Sequence, residues 1–517
     1  MPSKRVAIVG GGCSGVTAFW ALRHSGCDVH LFEASGHLGG GRLDSLPYEK
    51  DGRTVHVDTG IVLFNEHASP NLDALLDHIG IRTSDARLSF GVSRGESTLQ
   101  WGNGLLKDIL SRPATLWSLK TWQTLFDIIR FRYLAVDVLA DETQADGGYQ
   151  LHRDGYPQSV RDYLSKKEYS DSFYEDYLVP LLSVLWRRTD VARSLSNFPI
   201  KALVRFMYDH QLLSVSRTVP RWRVVKGGAS QLIQTLSKDF SAEKVHLKTR
   251  VVHVQQPGKN GAFILHTADG QSHPFDHIIL AVHAEEILKI MHSALDSKER
   301  YVLRGLRTSK TVAVLHSDSS FMPNREQAWP TCNYFTDPCS HPRISSRHPC
   351  LTYCVNTLQD IPVSIFGRIF ITLNPFTPPH PRLVQGVWEY TDAELSVATL
   401  QARDLLPTIQ NTRGISYCGR WAGHGFYEDA VTSGLQVARE HLGARLPFQL
   451  TDHRAESIPT LGWRVRITRV VLRLIRLYVA LLRLFVGLLD LIGVPSLVKR
   501  GGAAQADPAT KKLSKYV

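Results

Sequence analysis

The apolar positions of this chain repeat with two different periods, and the switches between them mark its elements. Arg5 to Val9 (RVAIV) is a short β-branched run, the pattern of a parallel strand buried on both faces. Val16 to His24 continues with helical character, and Asp28 to Phe32 reads as a second strand. Leu72, Leu75, Leu76 and Ile79 fall at helical spacing, with Gly80 placed as the C-cap. Residues 86–220 hold few strand-like runs and many helical ones, Thr115 to Leu139 among them; the polar, glycine-containing stretch Asp141 to Gln158 reads as a surface connection. An amphipathic helix is predicted over Ser230 to Leu236, a strand over Lys244 to Val254 and a buried strand over Asp276 to Val282. Residues 286–405 alternate more, with strands at Lys310 to His316, Arg368 to Leu373 and Gly386 to Tyr390, and a rigid loop at Pro375 to Arg382.

The turn between the first strand and the first helix carries the chemistry. Gly10, Gly12 and Gly15 form G-x-G-x-x-G there, around Cys13 and Ser14. Gly10 permits the tight turn, Gly12 lets a pyrophosphate approach the backbone, and Gly15 lets helix and strand pack closely. The phosphates then sit on the free N–H groups of the helix N-terminus. Glu33, about 20 residues on at the end of the second strand, is placed to accept hydrogen bonds from ribose hydroxyls. This is a dinucleotide fingerprint, and by itself it does not choose between NAD and FAD.

Glu33 and Ala34 are followed by SGHLGGGRLDS. Here the chain resembles the flavin-containing amine oxidase and phytoene-desaturase superfamily, in which an acid is followed by a G-G-R element wrapping the flavin side of FAD. Gly40, Gly41 and Arg42 match that element, although Gly41 pushes Arg42 one place beyond the usual position. The combination V-D-T-G-x-x-x-F-N-E…P-N-L (Val57 to Leu72) resembles one branch, the predicted NAD/FAD-binding amine oxidase-like proteins. Tyr177 to Pro180 with Trp186, Trp222 to Gly228, Asn333 with Tyr334, Tyr353, Asn356, Asn374 with Pro375, and Gly419 to Gly434 extend the match. The resemblance implies an α/β fold: a Rossmann-type FAD-binding domain interleaved with an α+β substrate domain. The FAD-binding parts would be 1–85, 221–285 and 406–450, and the substrate parts 86–220 (helical) and 286–405 (mixed sheet). It also implies non-covalent FAD, because Cys418 precedes the loop where some relatives attach the flavin. Val251 would meet the adenine through its backbone. Gly419, Glu428 and Asp429 would belong to the closing cofactor motif, where a helix N-terminus favours negative charge. Phe426 falls where amine oxidases place one wall of an aromatic cage, a position that also fits ordinary packing. Tyr334, Tyr353 and Asn356 match the substrate-side strands. Lys226 directly precedes the G-G turn and is no candidate base, and no catalytic residue is assigned. His283, just past a strand end, fits either a cofactor contact or a plain loop residue.

Composition is that of an ordinary globular chain, 43% hydrophobic and 21% charged. Of the net +12, residues 464–500 hold +7 and 501–517 hold +2, so the basicity belongs to the tail and excludes a nucleic-acid groove. Arg466, Arg469, Arg473, Arg476 and Arg483 share one helical face amid Leu, Ile, Val and Phe. This predicts an amphipathic helix over 451–500, lying in a membrane interface, followed by a disordered tail at 501–517; spanning a membrane and packing on a protein helix are the alternatives. Seven cysteines, and a first strand that begins by Val6, predict a reducing setting on the cytosolic face of a membrane. Cys332, Cys339, Cys350 and Cys354 show no metal-ligand spacing, so no metal is expected. The expected function is an FAD-dependent oxidoreductase removing hydride from an apolar, lipid-like or secondary-metabolite substrate. A flavin-dependent double-bond isomerase and a membrane-recruited flavoprotein without turnover are the alternatives.

Overall fold

The computed structural model describes residues 3–40, 43–60, 62–94, 97–101, 119–140, 158–214, 220–256, 261–324, 326, 329–336, 349–452, 466–475 and 478. It divides into two units, 1–456 and 457–517.

The first unit is organised around a five-stranded, all-parallel sheet. Its strands are β1 (Arg5–Val9), β2 (Asp28–Phe32), β3 (Val245–His246), β4 (His277–Leu280) and β5 (Ile415–Tyr417), ordered β3-β2-β1-β4-β5. Register pairs Val6 with Val29 on one side and with His277 on the other. The five helices that matter for the site are α1 (Cys13–Leu22), α2 (Pro70–His78), α3 (Val179–Trp186), α4 (Ser230–Ser237) and α5 (Tyr427–Gln436). Both sheet faces are covered, which is why β1 and β4 are apolar without alternation. One face packs Val6 and Ile8 with side chains of α1, α4 and α5, among them Val16, Leu232 and Val431. The other packs Ala7 and Val9 against helices at 284–306 and a small antiparallel sheet at 251–275.

Close backbone approach explains two glycines. A Cβ on Gly15 would lie 1.9 Å from the Gly10 carbonyl oxygen, and one on Gly434 would lie 2.5 Å from the Ser14 carbonyl oxygen. The first clasps α1 against the end of β1, and the second seats α5 directly on α1.

A second sheet has seven strands, in the order 384–393, 308–316, 370–373, 350–354, 332–336, 90–94 and 97–101. Two sequence expectations change here. The block 86–220, expected as helical cover, also contributes Phe90–Arg94 and Ser97–Trp101, a hairpin whose inner strand runs parallel to Cys332–Thr336. The predicted strand Lys244 to Val254 breaks into two that belong to different sheets. Lys248 adopts φ 55°, and the Lys248 and Thr249 amides donate to the carbonyls of Ser35 and Glu33. The chain therefore leaves the parallel sheet before Val251 opens the antiparallel one.

Elsewhere the predicted periods match the structure. The leucine repeat forms α2, with Ile79 as C-cap and Gly80 just beyond it at φ 73°. Helices cover Leu119–Leu134 and Asp137–Ala140; residues 115–118 and the connection 141–157 lie outside the described residues. In the second unit, residues 466–475 are helical, while the rest of 464–500 apart from Tyr478 lies outside the described residues. Among the described residues no helix is long and apolar enough to cross a membrane.

Candidate active site

The glycine-rich turn opens α1 onto a cavity of ≈ 260 Å³. Gly12 is the N-cap of α1, and no side chain caps the helix. Its first N–H groups therefore point out of the turn without an intrahelical partner, the arrangement that binds anions. A Cβ on Gly12 would meet nothing within 4 Å, so the absent side chain leaves open space beside that helix end. The Gly39 amide donates to the Gly11 carbonyl at 2.8 Å, which brings the second glycine element alongside the first. The cavity collects Gly12, Cys13 and Ser14 of α1 with Gly39, Gly40 and Leu43. Its opposite side is built from Ala281 to His283 after β4, Glu389 to Thr391, Gly419 to Trp421 after β5, and Tyr427 and Ala430 of α5. The Trp421 indole N–H donates to the Val282 carbonyl at 3.0 Å and ties the loops after β4 and β5 together. The cavity thus sits at the C-terminal ends of the parallel strands, where open α/β sheets take ligands.

Other predicted residues stand elsewhere. The Glu33 carboxylate accepts from the Gly11 and Ser35 amides, each at 2.7 Å. It buttresses the turn and keeps a second lone pair on each oxygen. Glu33, Ala34 and Val251 are not in the cavity lining; Ala34 is exposed and Val251 is buried in its strand. Gly41 and Arg42 lie outside the described residues.

The two acids of the closing motif require correction. They occupy the first turn of α5 as the motif implies, but their carboxylates do not line the glycine-rich cavity. Glu428 accepts from the Asn71 amide (3.1 Å), the Leu72 amide (2.7 Å) and the Thr432 hydroxyl (2.9 Å). It caps α2, whose own N-cap Ser69 makes no capping hydrogen bond with its side chain. Asp429 accepts from the Phe426 amide at 2.8 Å. Both acids line a different cavity of ≈ 620 Å³. Side chains on consecutive helical residues project about 100° apart, so only Tyr427 and Ala430 of this turn face the glycines.

The substrate-side candidates also shift. The Asn356 amide donates to the carbonyls of Ile361 and Gly367, and its oxygen accepts from the Ile369 amide. The Tyr353 hydroxyl donates to the Val184 carbonyl at 2.8 Å. Asn356 therefore pins a turn and Tyr353 pins α3 to the second sheet. Neither they nor Tyr334 lines the glycine-rich cavity or the one beside the two acids. Phe426 does line a cavity, a small space of ≈ 30 Å³ that shares His283, Arg420 and Trp421 with the glycine-rich cavity. Its ring stacks on Phe206 at 5.9 Å, and the Arg187 guanidinium lies 5.9 Å above it.

The electrostatics favour a dry, non-nucleophilic site. Burial pushes the Cys13 and Cys418 thiols up to about 12, so neither forms thiolate at ordinary pH. Cys332, Cys350 and Cys354 are buried free thiols, and among the described residues no group of His, Cys, Asp and Glu could hold a metal ion. The V-D-T-G motif acts at a distance: Asp58 accepts from the Ser45 hydroxyl (2.6 Å) and the Ala229 amide (2.8 Å), anchoring the start of α4. Burial raises its carboxyl to about 6. Among the residues missed from sequence are Arg420, Trp421, Tyr390 and Thr391. Gly419 was the visible signal for the first two; the others come from a strand that meets the cavity only through tertiary packing.

Residues 13–340 match the profile of the flavin containing amine oxidoreductases. Protoporphyrinogen oxidase 2, chloroplastic/mitochondrial, of Arabidopsis thaliana is 31% identical over 170 residues, and that match spans about a third (31%) of each chain. Among solved structures, putrescine oxidase bound to putrescine aligns with TM-score 0.55 and 15% identity, over 85% of this chain and 98% of that one. The CLA-producing fatty acid isomerase of P. acnes aligns with TM-score 0.53 and 15% identity, over 84% and 98%. At that identity the two structures share the fold. The family match over most of the chain, together with the parallel sheet and its open glycine turn, places this protein among the flavin-containing amine oxidoreductases, a family of FAD-dependent oxidoreductases.

Proposed function

We propose that this protein uses non-covalent FAD to remove a hydride from an apolar small molecule at a membrane surface. The observation that carries the reading is the uncapped N-terminus of α1, opening beside Gly12 into a cavity that adjoins a smaller aromatic-walled space. Bound FAD supplies the two-electron acceptor. Gly12, Cys13, Ser14 and Gly40 hold the diphosphate through backbone groups, Glu33 takes ribose hydroxyls on its free lone pairs, and Gly419 lets the last loop close on the cofactor. Val251 would meet the adenine through its backbone. Phe426, with Phe206 behind it, orients an apolar substrate, and Trp421 shuts out water between the loops after β4 and β5.

Purified holoprotein, mixed anaerobically with a membrane lipid extract, is expected to lose its oxidised-flavin absorbance. Flavin that stays oxidised while double bonds of the lipid move would assign the isomerase reading. Protein that folds without any flavin would overturn the proposal.

The membrane part of the reading is supported by residues 466–475. Ile467, Val470, Val471, Leu474 and Ile475 are each 41–58% exposed there, on a helix that also carries Arg466, Arg469 and Arg473. Exposed apolar side chains beside arginines suit a helix lying among lipid headgroups. Deleting 464–517 is expected to lower binding to vesicles containing anionic lipid at least tenfold while flavin content stays unchanged. Equal vesicle binding by the truncated protein would exclude the tail as the anchor.

A further inference from the structure

The small cavity beside the flavin site offers an excess of buried donors. Trp186 ends α3 and is 7% exposed, and its indole N–H has no acceptor among the described residues. Arg420 gives one guanidinium nitrogen to Asp392 at 3.3 Å, while its buried Nη1 has no partner among the described residues. Arg187, 5% exposed, stands against the same space. It holds φ 53° at the C-terminus of α3, a left-handed position that favours glycine. An arginine kept in a strained conformation at a cavity wall is the kind of outlier that accompanies a ligand site.

The charges agree. Arg187, Arg188 and Arg420 line the space against a single lining carboxylate, Asp392. Arg188 is answered from outside the lining by Asp190 at 2.6 Å and also donates to the Ala393 carbonyl. A buried cationic donor set gains most from an acceptor that brings negative charge, and it repels a cation. The volume, ≈ 30 Å³, has room for about two water-sized groups, as the two oxygens of a carboxylate require. Phe426, Leu395 and Trp421 supply apolar wall next to it.

The geometry points to a carboxylate-binding subsite: the substrate is an apolar carboxylic acid whose head sits between Trp186, Arg187 and Arg420, rather than an amine. This rests on the flavin-dependent reading above and names the class of substrate that the site takes. An amine would bring its positive charge against two arginines, whereas a carboxylate accepts from both the free Arg420 nitrogen and the Trp186 N–H.

The test titrates the holoprotein with octanoate, octan-1-ol and octylamine, following the visible flavin spectrum. Octanoate is expected to bind at least tenfold more tightly than either other probe. Arg420→Gln and Trp186→Phe are expected to bring octanoate within threefold of octanol while the flavin is retained, and Arg420→Lys to restore part of the preference. The double variant Arg420→Gln/Asp392→Asn provides the same reading without an unpaired aspartate. Equal or tighter binding of octylamine or octanol to the wild type overturns the proposal, as does a carboxylate preference that survives in the glutamine and phenylalanine variants. If these variants fold but shed their flavin, the donors serve the cofactor's diphosphate and the proposal falls. A wild type that folds without flavin overturns the functional reading itself; one that binds flavin without preferring octanoate overturns only the carboxylate subsite.

Discussion

Gly12→Asp yields a folded protein that purifies without flavin. The position combines two properties that tolerate a side chain. Its φ is −73°, so a side chain brings no backbone strain, and its Cβ would project into open space. The new carboxylate would sit at the uncapped N-terminus of α1, where it can accept from the free N–H groups and meet the positive end of the helix dipole. Such a cap is worth about 1 kcal/mol to the empty protein. The same carboxylate occupies the place of a phosphate and repels the remaining one. Flavin affinity is expected to fall at least a hundredfold, read by absorbance at 450 nm after gel filtration, while the urea midpoint of the flavin-free protein rises. Retention of stoichiometric flavin by this variant would remove the α1 N-terminus from the cofactor site.

The second large effect concerns Glu428 and stability. Glu428→Ala strands the Asn71 and Leu72 amides and the Thr432 hydroxyl in the interior, which costs about 3 kcal/mol. The native side chain also makes stability depend on pH. Burial raises its carboxyl from 4.5 to about 7, outweighing the backbone hydrogen bonds that act the other way. Between those two values the folded protein holds a proton that the unfolded chain has released. The contribution is therefore fully present below pH 4.5 and is lost as pH rises through 7, by about 3 kcal/mol at most. Chemical denaturation of wild type and Glu428→Gln at pH 5 and pH 8 checks the sign: the wild type should lose more stability than the variant on going to pH 8. Equal losses would show that Glu428 does not titrate in this window.

How much of this could be read from sequence depended on how far apart the interacting residues lie. The turn at Gly10 to Gly15 is specified by neighbours, so its strand, helix and backbone roles were legible at once. Glu428 was legible as an acid at the start of a helix, but its partners Asn71 and Leu72 lie more than 350 positions away. Nothing local distinguishes an acid that faces a cofactor from one that caps another helix. The hairpin at 90–101 was masked by its helical surroundings, because its stability comes from pairing with 332–336. Tyr353 and Asn356 were site candidates because they match the substrate-side strands of the family that the chain resembles. Their polar atoms instead satisfy buried backbone groups, a need that appears only once the chain is folded. Trp186 and Arg420 carried the opposite signal: conventional residues in sequence, each left by tertiary structure with one buried nitrogen that has no acceptor among the described residues.

The order of the parallel sheet sets a schedule for the cell. β1 is complete within the first ten residues, yet its neighbour β4 follows 271 positions later and β5 lies beyond 414. At roughly 5–20 residues per second, the ribosome takes about 15–50 s to deliver the missing neighbour. Throughout that interval β1 presents an apolar, hydrogen-bonding edge with nothing to pair. Nascent chains of this protein are therefore natural clients for holding chaperones. A premature stop anywhere before β4 leaves a first strand with one edge that no later residue can pair, so such fragments should accumulate as aggregates rather than as partial flavoproteins.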